Sequence, residues 1–153
     1  MRPFHYASAL LLSALLSLPT WASSTESENT ALVQQAFDNW RNGTGSVFDL
    51  LTDDAEWTVA GNSPVSGIYR TRESFMNDAV KPITDRLATP ITPTVRQIVA
   101  QGPHVVVMWD GSATAQDGKR YENSYAWHLQ FEEGRITRVV AFLDTWRLVE
   151  LME

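Results

Sequence analysis

The sequence predicts an α+β domain in which N-terminal helices cover one face of a curved antiparallel sheet. Two observations carry this. Before Thr92 the apolar residues recur at helical spacing in short segments, and from Thr92 onward they alternate with polar ones at period two. The period-two segments are joined by Gly102-Pro103, Asp117-Gly118 and Glu133-Gly134, links that allow only antiparallel hairpins. Helices first and a long meander afterwards is the order expected when helices pack on one side of a sheet.

The first 22 residues stand apart from that domain. Arg2 precedes the apolar run "ASALLLSALLSL", which ends at Pro19 and "TWA". Such a run is too short for a membrane span, and the small residues Thr20 and Ala22 sit where a signal peptidase reads, so a signal peptide cut after Ala22 is expected. Residues 23–29 then form a polar leader and residues 30–153 the domain, placed in the periplasm or secreted. The net charge is −6, and removing residues 1–22 takes away one basic residue and no acidic one. That balance argues against nucleic acid, and against the membrane surface once the signal is gone. The chain has no cysteine, hence no disulfide and no thiol nucleophile, so its stability rests on packing. Its six Trp supply large apolar areas, each worth about 2 to 3 kcal/mol when fully buried.

In chain order, Leu32, Val33, Ala36, Phe37 and Trp40 fall on one face of a first helix, with Thr25 and Glu28 at capping-box distance and Gly43 as its stop. Ser46 to Leu51 reads as a short second helix. "AEWTVAG" reads as a strand ended by the "GNSPVSG" loop. Thr71 caps a third helix carrying Phe75, Met76, Ala79 and Val80, which Pro82 should end or kink. Strands follow near 94–101, 104–115, 120–132 and 135–144.

This order of elements, with "LLTDDAEWTVAG", "DGKRYENSYAWHLQFEEGRI" and "VVAFLDT", resembles the nuclear transport factor 2-like superfamily, in its SnoaL-like, ketosteroid-isomerase-like branch. The resemblance spans roughly Thr30 to Glu150. It implies a cone: a curved antiparallel sheet wrapped around the N-terminal helices, an apolar pocket at the open end, and an outer sheet face that pairs in a homodimer. It does not choose a reaction, because the fold serves isomerases, cyclases, hydrolases, dehydratases and proteins without known chemistry. Aligned with the isomerases, the positions of their tyrosine, protonated aspartate and proton-shuttling aspartate hold Ala36, Trp127 and Val59. Aligned with the epoxide hydrolases, a last-strand carboxylate position holds Ala141. Neither mechanism is therefore expected, and the proton chemistry of the family implies no cofactor and no metal.

Alternation places Tyr121, Asn123, Tyr125, Trp127, Leu129 and Phe131 on one face of their strand, expected to be the inside. In the preceding strand the resemblance puts Met108, Asp110 and Ser112 inward, whereas hydrophobicity favours Val105, Val107 and Trp109. Following the resemblance, the candidate catalytic residues are Asp110 as acid or base, with Asn123 or Tyr125 orienting a substrate oxygen, in a pocket of Trp57, Val59, Met108, Trp127 and Ala141. A carboxylate among rings has its pKa raised by desolvation, which suits proton transfer. The plainer account is that Asp110 and Asn123 bond each other or nearby backbone and satisfy a polar spot in the core. Asp144 in "FLDTW" reads first as a cap or a partner of Arg147.

His104 and His128 lie on different strands and make no metal-ligand motif, "GTGS" lacks the strand and Lys of a phosphate loop, and no GxSxG is present. The expected function is binding of a small hydrophobic molecule; whether isomerase, dehydratase or cyclase chemistry acts on it is left open by the sequence. The alternative is a non-catalytic dimeric module whose rings plug the pocket and whose contact face is Val107, Trp109, Val140 and Phe142.

Overall fold

A computed structural model describes residues 21–153. The expected signal peptide, apart from its last two residues, lies outside the described residues. Those two open helix α1, Trp21–Asn42, which runs past the expected cap, so that Thr25 lies within the helix. Glu26 reaches across to accept from the Gly102 backbone N–H at 2.7 Å, tying the helix to a hairpin turn of the sheet. Val33, Ala36 and Phe37 are buried on one face of α1, and Gly43 at φ 70° takes the left-handed conformation that ends it. No helix among the described residues is long and apolar enough to cross a membrane.

A 3-10 turn, Val47–Leu50, follows, closed by a capping box in which Ser46 Oγ accepts from Phe48 N–H and Asp49 accepts from Ser46 N–H. Strands β1 (Leu51–Val59) and β2 (Gly67–Tyr69) form a hairpin, and β2 occupies the end of what the sequence reads as loop. The second helix, α2, spans 72–84 in three parts: α-helical Arg72–Phe75, a π turn Met76–Val80, and α-helical Lys81–Thr84. Pro82 does not end it. A proline ring crowds the carbonyl four residues back, and the wider π turn just upstream relieves that crowding.

Strands β3 (Thr92–Gln101), β4 (His104–Thr114), β5 (Arg120–Glu132) and β6 (Arg135–Leu143) make the meander, and a short helix α3 (Thr145–Met152) closes the chain. The curved, unclosed six-stranded sheet has the order β2-β1-β6-β5-β4-β3, antiparallel throughout except where β1 runs parallel to β6. Its concave face and the helices enclose one main core containing Phe37, Leu51, Trp57, Trp109, Trp127 and Ile136, while Leu87, Ala113, Tyr121 and Leu148 form a smaller cluster under α3. This is the expected α+β cone.

Candidate functional site

Along β5 the expected alternation holds: Tyr121, Asn123, Trp127, Leu129 and Phe131 are buried and Tyr125 is half-buried on the inner face. On β4 the expectation is corrected. The β4–β5 register pairs Val105 with Leu129, Val107 with Trp127 and Trp109 with Tyr125. Directly paired residues of an antiparallel ladder share a face, so Val105, Val107 and Trp109 point inward and Met108, Asp110 and Ser112 outward. Hydrophobicity alone had the right answer. Trp109 is only 1% exposed and Val107 fully buried, so neither belongs to an outer contact face.

Asp110 is therefore no pocket acid. It forms an ion pair with Arg96 and accepts from Ser124 Oγ at 2.8 Å on the outer surface. The Ser124 hydroxyl, then the Arg96 guanidinium, hold its carboxyl below the usual range, opposite to the expected rise. Met108, paired with Ala126, likewise leaves the pocket.

Inside, a cavity of about 310 Å³ lies between the inner sheet face, α2 and α3. Trp57, Val59, Tyr125, Trp127 and Ala141 line it, together with Trp40, Phe48, Tyr69 and Trp109. Helix α2 contributes Phe75, Asp78, Ala79 and Ile83, and α3 contributes Leu148 and Met152. The wall is built from ring contacts. Trp109 stacks on Tyr125 with centroids 3.9 Å apart and planes at 7°, Trp57 stacks on Phe75 at 4.0 Å and 14°, and Trp127 stands edge-on to both Trp57 and Trp109. Gly111 makes room for the first stack. A Cβ there would meet Ile91 Cγ2 at 2.9 Å, Trp109 Cζ3 at 3.0 Å and Tyr125 Cε2 at 3.2 Å.

Polar groups in this wall are few, and Asn123, which does not itself line the cavity, stands behind the lining residue Tyr121. Asn123 Nδ2 donates to Tyr121 Oη at 3.1 Å and to the Asp144 carbonyl at 2.9 Å, and its Oδ1 accepts from the Asp144 N–H at 3.1 Å. Its bonds are thus taken within the protein, by a tyrosine hydroxyl and by backbone, and none goes to Asp110. Asp144, held at its backbone by that amide, caps α3 by accepting from the N–H groups of Trp146 and Arg147. Tyr121 and Tyr125 hydroxyls lie 2.9 Å apart. Burial pushes both phenols above the ordinary tyrosine value, so they stay protonated at physiological pH. Asp78 is the one carboxylate among the described lining residues, and its charge adds to burial in raising the Tyr69 phenol.

The outer face carries a second feature. One register row crosses all six strands through Ile68, Thr58, Val140, His128, Val106 and Val99, and Phe142, Ala126 and Met108 form the next row. Ile68, Val99 and Phe142 are 55%, 50% and 55% exposed. His104 and His128, both on this face, stack with Nδ1 and Nε2 3.1 Å apart, and no cluster of three or more ligating side chains exists among the described residues.

The sequence reading missed Trp109, Tyr121, Phe75 and Asp78. Apolar alternation in β4 signalled Trp109, and Tyr121 shares the face of Tyr125. Nothing local marks Asp78, an exposed residue that borders the cavity where the π turn of α2 lines it.

Residues 33–139 match the SnoaL-like domain family. No curated protein sequence matches the chain significantly. Among solved structures, an NTF2-like protein of Burkholderia thailandensis superposes with a TM-score of 0.66 at 18% identity, over 82% of this chain and 97% of that one. A Jannaschia protein named as a SnoaL-like polyketide cyclase gives 0.63 at 14%, over 84% and 93%. A Rhodopseudomonas palustris protein named as an isomerase gives 0.61 at 20%, over 80% and 94%. At these identities the likeness shows the fold.

Proposed function

The chain belongs to the SnoaL-like domain family, and from that premise we propose that it is an exported protein that binds a small, largely apolar molecule in the cavity under α2 and α3. The observation that carries this reading is the cavity itself: about 310 Å³ of space whose wall is mostly rings and aliphatic side chains, with a few placed polar groups. A core that existed only for stability would fill that space, because voids forfeit packing energy. Trp57 and Trp127 line the cavity and leave it open.

Proton transfer of the isomerase, dehydratase or cyclase type is the chemistry that cyclase-like and isomerase-like relatives suggest. Here its general base is assigned to Asp78, since Asp110 faces outward. Native mass spectrometry of the exported protein is the direct test. It should show a polypeptide beginning at Ser23 that retains a small molecule. Ala141→Leu, which fills the cavity from β6, is expected to lower binding at least about tenfold without unfolding the domain. Asp78→Asn should keep the binding and remove turnover. Full binding by the Leu variant would place the ligand elsewhere.

The outer face supports homodimerisation. One row crosses the whole sheet and is apolar apart from Thr58 and His128, and Ile68, Val99 and Phe142 are exposed, a surface that gains by pairing with itself about a two-fold axis. Phe142→Glu is expected to give a folded monomer by sedimentation velocity at micromolar concentration. A variant that stays dimeric would move the interface off this face.

A further inference from the structure

We propose that His104 and His128 form a two-imidazole chelate for a divalent late-transition-metal ion, of which Cu2+ is held most tightly, on the outer face of the sheet. The two residues belong to different strands, β4 and β5, and only the strand register brings them together. His104 pairs with Gln130 and Val106 with His128, so the histidines are diagonal neighbours on one face, a separation that ring side chains span. Their rings lie with centroids 5.1 Å apart and planes at 20°, and His104 Nδ1 is 3.1 Å from His128 Nε2. That spacing is the bite of a chelate. With metal–nitrogen bonds of about 2.0–2.1 Å, two nitrogens 3.1 Å apart subtend about 95–102° at the ion. Such an angle lies between the right angle of a tetragonal site and the wider angle of a tetrahedral one, so the backbone need not move.

The chemistry of the pair agrees with its spacing. One of the two nitrogens donates its N–H to the other, so the accepting ring is neutral. Burial, then the neighbouring imidazole, lowers the His128 value and favours the uncharged form that metals take. When the shared hydrogen passes through solvent to the far nitrogen of its own ring, both facing nitrogens present lone pairs and no charge changes. Rotation about the two Cβ–Cγ bonds then aims them at one ion. Imidazole nitrogen suits late-transition ions, whereas Mg2+ and Ca2+ take oxygen, and the residues paired directly with the two histidines, Val106, Val140 and Gln130, bring no carboxylate. His104 is exposed and His128 half-buried, so an ion enters from solvent and water fills its other positions. The chain has no cysteine, and its third histidine, His5, lies in the segment expected to be cut away. This site is on the opposite side of the sheet from the cavity and does not depend on it.

Titration of Cu2+ into the intact mature protein, in a non-coordinating buffer near neutral pH, tests the assignment. The wild type is expected to take up one Cu2+ per chain with nitrogen splitting in its EPR spectrum. The paramagnetic ion should broaden the NMR methyl signals of Val106 and Val140, which flank His128, before those of Val33 and Val47 in the core. His104→Ala and His128→Ala should each weaken binding at least about tenfold, because the second arm of a chelate acts at high effective concentration, and the double variant should be little weaker than either. Neither ring belongs to the core, so the urea midpoints of these variants should stay near that of the wild type. Phe142→Glu should still bind one ion per chain. Absence of uptake, equal affinity in either alanine variant, or broadening that spares Val106 and Val140 overturns the site. Uptake of one ion per two chains that Phe142→Glu abolishes overturns the chelate within one chain and assigns the metal to a contact between copies.

Discussion

Trp109→Ala is expected to cost about 3–5 kcal/mol of folding stability and to abolish ligand binding together. The indole is 1% exposed, lies face to face with Tyr125 at 3.9 Å, and meets Trp127, Trp40 and Phe37 at centroid distances of 4.8, 5.2 and 5.4 Å. Truncation removes a partner from four rings at once. It also joins the vacated space to the cavity, so the wall that holds Tyr125 loses its backing. Urea unfolding should show a lower midpoint at unchanged slope. A loss below about 1 kcal/mol would mean that the ring faces solvent, as an outer dimer surface would require.

Asn123→Ala is expected to cost about 2–4 kcal/mol, more than its size suggests. Its side chain serves both the N–H and the carbonyl of Asp144 and also the Tyr121 hydroxyl, so one substitution removes three hydrogen bonds and leaves the Asp144 N–H without a partner, while the carbonyl keeps the Leu148 N–H and the hydroxyl keeps Tyr125. Asp144 caps α3, and Leu148 and Met152 of that helix line the cavity. The damage should therefore concentrate in α3. Hydrogen exchange should show protection lost first in Thr145–Met152 while β4 and β5 keep theirs. Uniform loss across the domain would mean that the amide supports the sheet and not the helix. By contrast Asp110→Asn should leave binding unchanged, since it touches only Arg96 and Ser124 outside the cone.

Much of the fold is legible in the chain because its signals are local. Period two in Tyr121–Phe131, the turn pairs Gly102-Pro103 and Glu133-Gly134, and helical spacing from Val33 to Trp40 each state a preference that the neighbouring segments do not contradict. The aromatic pocket wall of Trp57, Tyr125 and Trp127 follows from the same alternation. The facing of β4 shows the limit of analogy. Val105, Val107 and Trp109 were the apolar set, and a family expectation that turned Asp110 inward had to overrule a transfer energy of several kcal/mol, which the structure does not do.

The elements that escaped a local reading are short or conditional. Strand β2 has three residues and exists because Tyr69 and Gly67 pair with Trp57 and Val59. Helix α3 has eight, marginal alone, and is held by the Asn123–Asp144 bridge and by Leu148 packing on Tyr121, Leu87 and Ala113. The π turn that presents Asp78 answers to Pro82 and to the surface on which α2 rests, and not to any propensity of "MNDAV".

The sequence by itself determined the layer order, the hairpins and the ring-lined inner face of β5, because hydrophobic periodicity and turn chemistry act within a few residues. Tertiary structure alone decided which polar groups share the cavity. Tyr125 on β5, Tyr69 on β2 and Asp78 on α2 are distant along the chain, and their meeting depends on sheet curvature and helix placement. Those are fixed by the summed packing of the whole core, which no single stretch of sequence contains.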